Sequence, residues 1–68
     1  MNERLANRIK SERERSGLTQ AALAERVGVS RKTINTVENG VFTPSATLAI
    51  KLAEALELKV EQLFWIER

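Results

Sequence analysis

The sequence contains no cysteine and no histidine. These absences exclude a disulfide framework, a zinc finger, a thiol nucleophile and an imidazole general base. A chain of 68 residues buries only about 60% of its unfolded surface, so without staples or metal it needs an economical helical core or a partner. No stretch approaches the roughly 18 apolar residues of a membrane span, and Met1 to Lys10 is polar, unlike a secretory leader. The expected location is therefore the cytoplasm, without a membrane partner. The nine carboxylates are scattered among eleven cations, and no metal-ligand cluster, phosphate-binding glycine loop or pair of nucleophile and base emerges. The chain is not expected to be an enzyme, or to hold a metal, a cofactor or a small-molecule substrate.

What is present is an ordinary globular composition, 43% apolar and 29% charged. The net charge of +2 is unevenly spread. Residues 1–40 carry eight basic side chains (Arg4, Arg8, Lys10, Arg13, Arg15, Arg26, Arg31, Lys32) against five glutamates, whereas residues 41–68 carry three basic and four acidic ones. This mild positive pole suits a polyanionic partner.

Glycine, proline and hydroxyl residues divide the chain into five segments that predict helices. Asn2 to Ser16 is rich in Glu and Arg, with Leu5 and Ile9 four apart on one face, and stops at Gly17. Thr19 caps Gln20 to Val27, whose Ala21, Leu23, Ala24 and Val27 face inward while Ala22 lies on the wetter side. Ser30 caps Arg31 to Glu38, which buries Ile34 and Val37. Pro44 ends the connection that follows, and Ser45 caps a fourth helix to about Leu56 with a Leu48, Leu52, Leu56 stripe. Val60 to Ile66 predicts a short last helix with Val60, Leu63 and Phe64 inward. No segment alternates with period two over enough residues to predict a strand. The expected architecture is all-α: one compact five-helix domain over residues 1–68.

The informative unit spans residues 20–38. Two eight-residue helices, Gln20–Val27 and Arg31–Glu38, are separated by Gly28-Val29-Ser30, which is helix-turn-helix spacing. A tight turn between crossed helices needs a residue at positive φ, and Gly28 enters that region without a Cβ clash. The second helix of such a unit lies in a major groove. Its outward positions, Arg31, Lys32, Thr33, Asn35 and Thr36, are all donors or acceptors, with no acidic residue before Glu38.

The run from Gly17 to Gly40, with the tail from Pro44-Ser45 to Leu63-Phe64, resembles the helix-turn-helix domain of the Cro and phage-repressor (Xre) family over about residues 7–64. The resemblance is to the minimal regulators made of this domain alone. It implies a lambda-repressor-like fold that binds double-stranded DNA, usually as a homodimer on a palindromic operator. It also implies base contacts by Arg31, Lys32, Thr36 and Asn35, and phosphate contacts by Gln20, Thr33 and Asn39. Arg and Lys donate to guanine O6 and N7, and a Thr methyl can touch the thymine methyl; Asn35 either reads a base edge or faces water. Arg13 and Glu38 match a pair that joins the first helix to the end of the recognition helix in this family, the alternative being two solvated side chains. The sequence departs from the pattern at Glu12, where the family commonly has an apolar residue, and at Val41, where a Lys or Arg often follows the Asn-Gly turn.

Phe64 and Trp65 are adjacent, so they do not share one interior. Phe64 is assigned to the core, and Trp65 with Ile66 to an exposed apolar surface that serves as a dimer interface; the alternative is that Trp65 folds back over the domain. The function expected is a sequence-specific DNA-binding repressor. An antitoxin-like module that neutralises a protein partner and binds DNA secondarily is the competing expectation.

Overall fold

The computed structural model describes residues 2–68; Met1, the first residue of the expected 1–68 domain, lies outside them. The elements run β1 (Arg4–Asn7), α1 (Ile9–Arg15), α2 (Gln20–Val27), α3 (Arg31–Glu38), α4 (Ala46–Ala55), α5 (Val60–Leu63) and β2 (Phe64–Glu67). The five helices follow the expected order, and their starts have a chemical cause. Thr19 Oγ1 accepts the Ala22 N–H at 3.0 Å, Ser30 Oγ accepts that of Thr33 at 3.1 Å, and Ser45 Oγ accepts that of Leu48 at 3.1 Å. Each satisfies an amide that has no partner within the helix.

Ile9, Leu23, Ile34, Leu52 and Leu63, one from each helix, are fully buried and meet in a single core with Val27, Val37, Leu48, Leu56 and Phe64. The α2 and α3 pair packs across the Gly28 turn, and α2 also rests on α4. Gly28 has φ +76°, in the left-handed region the turn requires. Ala21 is exposed and Ala22 half-buried, the reverse of the expected pair, while Leu23, Ala24 and Val27 are buried as expected.

The expectation that no strand forms is corrected. β1 and β2 pair antiparallel in the register Arg4↔Glu67, Leu5↔Ile66, Ala6↔Trp65 and Asn7↔Phe64. This ribbon shortens both terminal helices relative to Asn2–Ser16 and Val60–Ile66. At the first, Asn7 Oδ1 accepts the Ile9 N–H at 3.0 Å and its Nδ2 donates to Val37 O at 3.1 Å, so α1 starts after Asn7. At the second, the backbone of Phe64 turns extended, with φ −126° and ψ 146°. The Arg8 N–H donates to Leu63 O at 3.0 Å beside the ribbon. A four-residue strand whose last three residues are half-buried satisfies its backbone through a partner some sixty positions away, and this tertiary gain overrides the local helix preference of Asn2 to Arg8.

Candidate functional site

The α3 helix divides its residues by burial. Ile34 is 0% and Val37 1% exposed, whereas Arg31 and Lys32 are exposed and Thr33, Asn35 and Thr36 are half-buried. Two consecutive cations therefore project from the first turn of a helix anchored on its opposite side.

A chain of hydrogen bonds fixes that helix. Arg13, in α1, donates through Nε to Glu38 Oε2 at 2.7 Å, through Nη2 to Glu38 Oε1 at 3.3 Å and through Nη1 to Leu18 O at 2.9 Å. The two side chains retain only 10% and 3% of their exposure, so this is a buried ion pair. The hydrogen bond to Glu38 raises the Arg13 pKa above its already high ordinary value, against the opposing effect of burial. Glu38 Oε1 also accepts from Gln20 Nε2 at 3.1 Å, and Gln20 Oε1 in turn accepts from Arg31 Nη1 at 3.3 Å. The end of α3, the start of α2 and the start of α3 are thus linked through one glutamine amide. Among the described residues no buried side-chain nitrogen or oxygen lacks a partner.

Of the residues expected at phosphates, Gln20 lies within this network, and Asn39 donates from Nδ2 to Asn35 Oδ1 at 2.7 Å, bringing together one expected phosphate contact and one expected base contact. Thr33 Oγ1 lies 3.0 Å from Ser30 Oγ, and Thr36 Oγ1 donates to Thr33 O at 3.0 Å. Glu12, the polar residue in a usually apolar position, is half-buried and paired with Arg15 one turn on, which raises the Arg15 pKa.

Trp65 and Ile66 are not brought together. They are 38% and 46% exposed, but consecutive strand residues project to opposite faces. The Arg8 guanidinium sits over the Trp65 ring, 5.0 Å from its centroid, a cation–π contact that covers part of the indole. Sequence reasoning missed Asn7, whose role depends on a strand it did not foresee, and Phe42, which with Val41 adjoins α3. Val41, already marked as a departure from the family pattern, was the available signal.

The helix-turn-helix family model matches residues 9–63. An HTH-type transcriptional regulator of Bacillus subtilis, YgzD, is 41% identical over 63 residues, covering 93% of this chain and 96% of that protein. A crystal structure from Bacteroides fragilis superposes with a TM-score of 0.80 at 33% identity, covering 90% of this chain and 98% of the other. The antitoxin HipB of Escherichia coli O6:H1 is 38% identical over 56 residues, 82% of this chain and 60% of HipB. Among the described residues no helix is long and apolar enough to cross a membrane.

Proposed function

The chain belongs to the helix-turn-helix family of DNA-binding transcription regulators, of the Xre type, and from that membership we propose that it is a cytoplasmic repressor, a homodimer that reads a palindromic operator with α3. Arg31 and Lys32 contact base edges in the major groove, with Thr36 and Asn35 beside them, while Gln20, Thr33 and Asn39 hold phosphates. The observation that carries this reading is the presentation of Arg31 and Lys32 on a helix whose far side is fully buried and whose two ends are tied by the Glu38, Gln20 and Arg31 bonds. Preorganised donors lose little freedom on binding, which favours discrimination among bases.

One recognition helix covers about four or five base pairs, too few to find a site among the millions of competing positions in a genome. A two-fold dimer doubles the readout, with half-site centres about 34–36 Å apart, or 10–10.5 base pairs. The terminal ribbon is the proposed contact between copies, with Trp65 on one of its faces and Ile66 on the other. Selection of bound duplexes from a random pool tests the reading: two inverted half-sites at that spacing support it, and a pool that stays random sinks it.

The likeness to HipB favours a second reading, in which the fold holds a protein partner and DNA binding is secondary. Purification of the chain from its own cells separates the two. A stoichiometric second protein supports the antitoxin reading, and a chain that shifts DNA unaided supports the first.

A further inference from the structure

The loop after α3 gives the helix surface an apolar feature that its polar residues do not explain. Val41 is 79% and Phe42 49% exposed. Neither belongs to a free loop tip, because both amide N–H groups donate to one acceptor, Thr36 O, at 2.9 and 3.1 Å. The loop backbone is thereby held against the last turn of α3, with both side chains left open to solvent beside it. Between loop and helix lies an open hollow of about 330 Å³ lined by Lys32, Thr33, Thr36, Val41 and Phe42. The hydroxyls in its lining are engaged locally, Thr36 with Thr33 O and Thr33 with Ser30, which leaves Lys32 as its one charged group.

Such a lining offers a base one free hydrogen-bonding group, the Lys32 ammonium, and is otherwise suited to an apolar group. The apolar group displayed in the major groove is the thymine 5-methyl, which lies next to the O4 acceptor of the same base. The hollow is continuous with the face that carries Lys32 and Thr36, so its occupant is part of whatever that face docks on. We propose that Val41 and Phe42 form with Thr36 a pocket for a thymine methyl, specifying a T·A pair in each half-site, with Lys32 the donor for O4. This rests on the DNA-reading function proposed above and adds specificity residues outside the recognition helix.

The test uses the duplex selected by the whole protein, with each thymine replaced in turn by uracil, which removes the methyl alone. Replacement at one position per half-site should weaken binding about fourfold, the effect of losing one buried methyl. Val41→Ala and Phe42→Ala, both at exposed positions, should abolish that sensitivity and leave any response to uracil elsewhere unchanged. The proposal is overturned if no uracil position matters to the parent, or if the sensitivity survives in both variants. It is also overturned if either variant changes the sedimentation of the free protein, since a second copy would then cover the pair. A parent that binds no duplex selectively overturns the DNA-reading function itself, a separate result.

Discussion

Gln20 receives the Arg31 guanidinium on its side-chain oxygen at 3.3 Å while its amide nitrogen donates to Glu38 at 3.1 Å. A residue assigned to phosphate therefore also aims a residue assigned to a base. Gln20→Ala should weaken binding to all sequences and, in addition, reduce discrimination at the base read by Arg31. A double-mutant cycle with Arg31→Ala measures the coupling. Additive losses would mean that the hydrogen bond has no bearing on readout.

Removing either member of the Arg13 and Glu38 pair leaves the other charge buried without compensation, and Gln20 loses its acceptor when Glu38 is lost. Arg13→Ala and Glu38→Ala should each cost about 3–5 kcal/mol, read from chemical denaturation. Because the Arg13 pKa is raised on folding, its contribution is fully present below the ordinary arginine value and is lost only as pH rises through the still higher folded value. Wild-type stability should accordingly show no Arg13 titration through the neutral range.

Glu57 is the one described residue other than glycine with positive φ, +59°, in the turn between α4 and α5. Left-handed backbone is costly for a side chain, and glycine removes most of that cost while losing some unfolded-state advantage. Glu57→Gly should stabilise the fold by about 0.5–1 kcal/mol, a rise in Tm of about 2–8 °C. An unchanged or lower Tm would show that the turn carries no strain.

The ribbon makes a prediction about assembly. Trp65→Ala should retain helical content, because the core residues Leu63 and Phe64 stay buried, yet lower both dimer content and operator affinity. Sedimentation equilibrium with circular dichroism checks this; a Trp65→Ala protein that remains dimeric places the contact elsewhere.

The parts legible in the sequence are those set by local chemistry. Thr19, Ser30 and Ser45 announce helix starts because a hydroxyl bonds an amide three residues on, and Gly28 announces the turn because its φ is positive. The order of the helices and the outward positions Arg31 and Lys32 follow from the same short-range pattern. The ribbon was hidden because Arg4–Asn7 and Phe64–Glu67 carry no alternation and become strands only by meeting each other. For the same reason Asn7 gave no sign of its two bonds, one of them to Val37 O thirty residues away. The hollow beside α3 was equally invisible, since it exists only because two loop amides converge on Thr36 O.

The central claim is that α3 reads base sequence through Arg31 and Lys32, and the most direct measurement compares affinities for the selected duplex and for a scrambled duplex of equal length and composition at one salt concentration. The parent should prefer its selected site by about a thousandfold or more. The Arg31→Ala, Lys32→Ala double variant, still folded because both positions are exposed, should lose most of that preference while keeping weak binding to both duplexes. A folded double variant with its preference intact would contradict the account.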